Sequence, residues 1–175
     1  MKKNIFWCIS SCIMILCGCQ DDPGIPAVKN FQLERYMGKW YEIARLPNRF
    51  ECGMRNVSTV YTLQKNGMVK VFNHGIKDDR CISISGYAKP AGNIGSGDLK
   101  VSFFRPFYGM YRIIKLAPDY SYSIVVGGSR DYLWILGRKP ELFPAEKQNI
   151  IEFLHRHRFP VDELIWSWQC PVKMP

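Results

Sequence analysis

The sequence predicts an all-β domain, either a sandwich or an up-and-down barrel, and three observations carry that expectation. Eight short strand-like runs recur between Trp40 and Gly137. Compact turn signals separate them, among them Lys65-Asn66-Gly67 between two alternating runs, a strong hairpin signature. After these strands the period changes, and residues 144–156 read as one amphipathic helix. Antiparallel strands at hairpin spacing suit both architectures, so pattern alone does not choose between them.

The first run, Trp40–Leu46, follows Gly38, where the backbone can turn without a Cβ penalty. The others are Asn56–Leu63, Met68–Asn73, Cys81–Ala88, Leu99–Phe104, Met110–Leu116, Tyr122–Val126 and Tyr132–Gly137. Besides Asn66-Gly67, the turns are marked by Lys77-Asp78-Asp79, Pro90-Ala91-Gly92-Asn93, Ala117-Pro118-Asp119 and Gly127-Gly128-Ser129. In the helix, Ile150, Ile151, Phe153 and Leu154 lie among Glu146, Lys147, Gln148 and Glu152, and Pro144 suits its first turn. A last strand, Leu164–Trp168, follows. There is no internal repeat and no sign of a second domain.

Residues 1–18 read as an export signal: Lys2-Lys3, then an apolar run from Ile5 to Leu16 that falls short of the ~20 residues a bilayer span needs. Leu16-Cys17-Gly18-Cys19 resembles a bacterial lipobox, which makes Cys19 the expected lipidation site and residues 19–30 its tether. By likeness to bacterial lipoproteins, Gln20 in place of Asp after that cysteine points to the outer membrane, on its periplasmic face. One acyl chain gives only marginal attachment, at ~0.8 kcal/mol per buried CH₂, so several chains on one cysteine would hold firmly.

Losing residues 1–18 lowers the net charge from +9 to +7. Export argues against a nucleic-acid partner, and the densest basic cluster, Arg156-His157-Arg158, reads as a solvated helix end. Four of the seven cysteines lie in residues 1–19, leaving Cys52, Cys81 and Cys170 as disulfide candidates. Three is odd, so one thiol stays over. Cys52 and Cys81 flank the Asn66-Gly67 hairpin, which slightly favours that pair, and no CxxC spacing suggests a metal.

Gly38-Lys39-Trp40, the corner Asp119-Tyr120-Ser121-Tyr122, and Arg138 at the end of Tyr132-Leu133-Trp134-Ile135-Leu136-Gly137 together resemble the three characteristic regions of the lipocalin family. Pro118 at the corner stands where the family carries Thr. The string Phe103-Phe104-Arg105-Pro106-Phe107-Tyr108-Gly109 is similar to a segment of the family's bacterial outer-membrane lipoprotein branch, with Arg105 in a place often held by Gly. The likeness runs over most of residues 31–169, and it makes 31–175 the expected domain. It implies an eight-stranded antiparallel up-and-down barrel, a C-terminal helix packed outside, and a short ninth strand beside the first. It also implies a tryptophan, Trp40, closing the narrow end under Arg138, with Gly38 leading in. A lipocalin-like tie to the C-terminal tail would instead pair Cys170 with Cys81 or Cys52.

In such a barrel one face of each strand turns inward. Tyr61, Val71, Val101, Phe103, Tyr111 and Trp134 are then candidate cavity residues, and Tyr108 joins them by likeness to the bacterial branch. Val69 and Leu136 share faces with two of them. Burying ~15 methylenes would offer roughly 12 kcal/mol before association costs. The implied ligand is a fatty acid or lysophospholipid, held or transferred in the cell envelope in support of the membrane under stress.

Enzymatic signals are sparse. His155 and His157 diverge on the helix, His74 stands alone, and no nucleophile elbow or phosphate loop occurs. The expectation is a carrier rather than an enzyme, without cofactor or metal. The rivals are an envelope scavenger of other hydrophobes such as haem, or a thiol activity at Cys52 or Cys170. Some relatives dimerise, but nothing in this sequence marks a dimer face.

Overall fold

A computed structural model describes residues 24–48, 51–167 and 169. A short helix α1 (Leu33–Tyr36) leads into nine strands: β1 (Gly38–Arg45), β2 (Arg55–Leu63), β3 (Val69–Lys77), β4 (Arg80–Pro90), β5 (Asp98–Phe104), β6 (Phe107–Leu116), β7 (Tyr122–Val126), β8 (Leu133–Gly137) and, at the end, β9 (Ile165–Trp166). Helix α2 (Pro144–Arg156) and a single 3₁₀ turn (Val161–Glu163) separate β8 from β9. Consecutive strands β2 to β8 pair as neighbours, β8 pairs with β1, and β1 returns to β2, which closes an eight-stranded antiparallel barrel. The barrel of the two expected architectures is the one formed.

The first strand has two partners in succession on one side. Gly38 to Tyr41 pair with Tyr61 to Ser58 of β2. Past that point β1 bulges between Glu42 and Ala44, and Ala44 and Arg45 pair with Trp166 and Ile165 of β9. The parting is sutured by Gln169, whose Nε2 donates to the carbonyls of Glu42 (2.8 Å) and Val57 (3.0 Å). A backbone acceptor left bare there would carry a desolvation cost.

Two apolar clusters result. Inside the barrel lie Trp40, Tyr61, Val71, Ile113, Val125 and Leu136, among others. Outside it, Ile43, Ile124, Val126 and Ile135 meet Ile150 and Leu154 of α2. All five residues of β7 are buried because that strand serves both clusters, whereas β4, with no helix over it, alternates toward solvent.

Most elements fall where the sequence places them, and α2 begins and ends at the expected residues. Proline at its start is supported by Glu146, which accepts from the Phe143 amide at 2.9 Å. Three expectations need correction. Strands β3 and β4 are longer than their apolar runs, because Asn73 to Lys77 gain a full ladder with Arg80 to Ile84. The last strand is two residues long, not Leu164–Trp168, since β1 offers it only Ala44 and Arg45; Trp168 lies outside the described residues. Residues 24–30, assigned to a tether, dock on the barrel. Ile25 is buried, Val28 exchanges backbone hydrogen bonds with Ile113 and Gly97, and Arg112 donates to the Ile25 carbonyl.

Candidate functional site

The narrow end of the barrel is sealed. Trp40 is fully buried, its Nε1 donates to the Tyr36 carbonyl at 2.8 Å, and the Arg138 guanidinium lies 3.9 Å over its ring. Arg138 also donates to the carbonyls of Lys39 (2.9 Å) and Arg35 (2.7 Å). Gly38 is required there twice over. Its φ is +93°, and a Cβ would stand 3.3 Å from Arg138 Nη1. The Asp119–Tyr122 corner closes the same end, where the Tyr120 hydroxyl accepts from the Gln32 amide at 2.9 Å.

Above this plug lies a cavity of about 180 Å³. Its floor carries two phenols backed by a third: Tyr111 bonds Tyr61 at 2.9 Å and, behind the lining, Tyr36 at 2.8 Å, and Tyr36 reaches Ser123 at 3.2 Å. Burial pushes the Tyr36 hydroxyl up to about 12 and raises Tyr61 and Tyr111 well above the ordinary phenol value, so all three stay neutral. Val71, Val101, Phe103, Val125 and Leu136 make an apolar wall, and Thr59 with Asn73 (2.9 Å apart) adds one polar strip. Gly86 on β4 lets the Phe103 ring lie flat against the backbone, since a Cβ would meet it at 2.7 Å.

The wall carries charge on the side where β1 leaves β2. Glu42 and Glu51 both line the cavity. Glu42 is 2% exposed and accepts from Arg45 Nη1 at 2.5 Å and from the Ser167 hydroxyl. Burial first, then repulsion from Glu51, raise its carboxyl from 4.5 to about 7, outweighing the attraction of Arg45. Glu51, in the loop after β1, accepts from Trp134 Nε1 (2.8 Å) and Asn48 Nδ2 (2.7 Å). Arg45 Nη2 donates to the Glu51 backbone carbonyl at 2.6 Å.

A barrel sealed at its base and hollow above it is what the family resemblance implies, and comparison with known proteins agrees. The model of the lipocalin-like domain family matches residues 31–169. The chain belongs to the lipocalin family. This lipocalin is 41% identical over 160 residues to outer membrane lipoprotein Blc of Citrobacter freundii, and 40% identical over 160 residues to that of Escherichia coli K12. Each alignment covers 90% of both chains. Among solved structures it is similar to insecticyanin from the tobacco hornworm Manduca sexta, with a TM-score of 0.70 at 17% identity over 85% of this chain and 86% of that one. That last likeness speaks for the fold alone. The location is the outer membrane, as the bacterial relatives' names and the N-terminal reading agree.

Of the cavity residues expected in this lipocalin, Tyr61, Val71, Val101, Phe103, Tyr111 and Trp134 line the hollow. Tyr108 does not. Alternation along β6 turns Gly109 and Tyr111 inward and Tyr108 outward, where its ring lies 4.7 Å from Lys89 Nζ. Arg105 also turns away from the cavity and covers the outer face of Tyr87 at 4.5 Å. Cys52 and Cys81 are exposed free thiols, so the favoured bridge is not formed. Cys81 is on β4, and β3 stands between it and β2, which begins three residues after Cys52. Two strand spacings, ~9.5 Å, exceed a disulfide's reach. Cys170 and Cys19 lie outside the described residues.

Sequence reasoning missed Tyr36, Glu42 and Glu51. Glu42 had a signal, since alternation from Trp40 puts it on the same inward face, inside an otherwise apolar run. Tyr36 and Glu51 sit outside any strand and had none.

The enclosed volume revises one expectation. It is smaller than the ~300 Å³ at which drug-sized pockets begin, so it encloses a shorter run of chain than ~15 methylenes.

Proposed function

We propose that this lipocalin carries single-chain lipids, fatty acid or lysophospholipid, at the outer membrane, and that it is a carrier and not an enzyme. One observation carries the reading: a mainly apolar hollow stands open above a plugged base, with phenols at its floor, one polar strip at Thr59 and Asn73, and Glu42 and Glu51 on the side of the mouth. An alkyl chain gains ~0.8 kcal/mol for each methylene it places against Val71, Val101, Phe103 and Leu136. The head remains near the mouth, where hydrogen-bonding groups are available. Acyl chains on Cys19 would keep the barrel at the membrane's periplasmic face, within reach of lipids to collect or return. That role suits an envelope protein that maintains membranes under stress.

Titration of long-chain fatty acid and lysophospholipid into purified protein tests it. Saturable quenching of tryptophan emission is expected, because Trp134 lines the hollow. Absence of binding by every long-chain lipid would overturn it.

A further inference from the structure

At the mouth of the cavity the Glu51 carboxylate is surrounded by donors from Trp134, Asn48 and Arg45. Three donors converge on Glu51. Trp134 Nε1 and Asn48 Nδ2 bond its Oε2 at 2.8 and 2.7 Å, and Arg45 Nε stands 3.8 Å from the same oxygen. The last contact is too long for a hydrogen bond. Arg45 is 2% exposed, and its Nε is buried without a hydrogen-bond partner among the described residues. A buried donor left unmade is costly, and such groups are normally satisfied.

Glu51 is therefore an imperfect occupant of a site shaped for an anion. Its reach is fixed by the backbone, whose own carbonyl is already held by Arg45 Nη2 at 2.6 Å. Its side chain is 18% exposed and can turn outward to water. The guanidinium would stay in place meanwhile, because Glu42 holds Nη1 from below.

We propose that Glu51 stands in for a ligand carboxylate in the free protein, and that a long-chain fatty acid binds by displacing it from Arg45, Trp134 and Asn48. This rests on the lipid-carrier reading and assigns the headgroup chemistry of the same cavity. One carboxylate replaces another, so the charge beside Arg45 is conserved and Glu51 regains its hydration. A head on a flexible chain is free to close the gap to Nε, which the tethered Glu51 leaves open. Planar carboxylate recognition is what a guanidinium does best. The chain then runs down the wall beneath Trp134 toward Val71 and Val101, both of which line the hollow.

The test compares dodecanoate with 1-dodecanol, two probes of equal chain length, by calorimetric titration into the purified protein and its Glu51→Ala variant at pH 8. Removing the internal competitor should tighten dodecanoate by about tenfold while moving dodecanol by less than about twofold. Glu51→Gln keeps the shape and drops the charge, and should shift the two probes in the same order. Adding Trp134→Phe to Glu51→Ala should weaken dodecanoate selectively, since one donor is lost. Unchanged or weaker dodecanoate binding in both Glu51 variants, or an equal gain for both probes, would overturn the displacement while leaving the carrier reading intact. If the wild-type protein bound neither probe, the carrier reading would fail and this inference with it.

Discussion

Arg138 at the base and Arg45 near the mouth both donate to backbone carbonyls, but they meet very different surroundings. Arg138 is half-buried, covers Trp40 at 3.9 Å and donates to two carbonyls, with no acid among the described residues pairing with it. Arg45 is buried at 2% exposure, lies between two carboxylates, and keeps one N–H without a partner among the described residues. The base is satisfied and closed. The mouth holds desolvated charge in excess of what it can pair, which is the condition under which a site exchanges partners. One chain thus puts its rigidity at one end of the tube and its chemistry at the other.

The comparison can be broken most sharply at the base. Trp40→Ala should cost about 3–5 kcal/mol, as for a large buried ring, and it should loosen the barrel as a whole. Chemical denaturation reads this directly, and a loss under about 1 kcal/mol would mean that the plug is dispensable.

The next effect belongs to the mouth and depends on pH. The folded protein holds the Glu42 proton more tightly than the unfolded chain, because its carboxyl is raised from 4.5 to about 7. The stabilising contribution of that proton is complete below about 4.5 and disappears as the pH rises through 7. Between pH 5 and 8 the wild type should lose on the order of 2–3 kcal/mol from this group. Glu42→Gln carries no such proton, so its stability should gain on the wild type over that interval. Urea melts of both proteins at the two pH values measure it, and parallel losses would show that Glu42 ionises normally.

Two smaller changes sharpen the account of the base. Arg138→Gln removes the cation over Trp40, an interaction of ~0.5–2 kcal/mol, together with the hydrogen bonds to Lys39 and Arg35. A fall in stability of about 2 kcal/mol is expected, with lipid affinity retained. Gly38→Ala places a Cβ at positive φ, at a cost of ~1–2 kcal/mol. Were that variant as stable as wild type, the close approach of Arg138 would not be what selects glycine there.

The same contrast explains how far the sequence could be read. The base was legible because its parts follow local rules. Gly38 and Trp40 open a strand, Arg138 ends one, and alternation carries Val71, Val101 and Phe103 inward. Helix α2 was legible from its period and its leading proline. The mouth depends on contacts distant in sequence. It exists because β1 leaves β2 for β9, a parting held by Gln169 about 112 residues from Val57, and no local pattern encodes that. Tyr108 shows the limit of likeness alone, since counting faces back from Tyr111 sets it outside. The Cys52–Cys81 pairing failed for a similar reason. Two residues that flank a hairpin in sequence are kept apart by the strand between them.

The central claim is that a lipid chain lies inside the barrel, below Trp134 and above the tyrosine floor. A fatty acid brominated near its tail tests it, because bromine quenches only indoles that it approaches closely. Strong, saturable quenching is expected in the wild-type protein, and its loss is expected in Val101→Phe, which fills part of the hollow and adds no indole to the readout. Quenching of equal strength in the filled variant would place the chain on the outer surface and contradict the account.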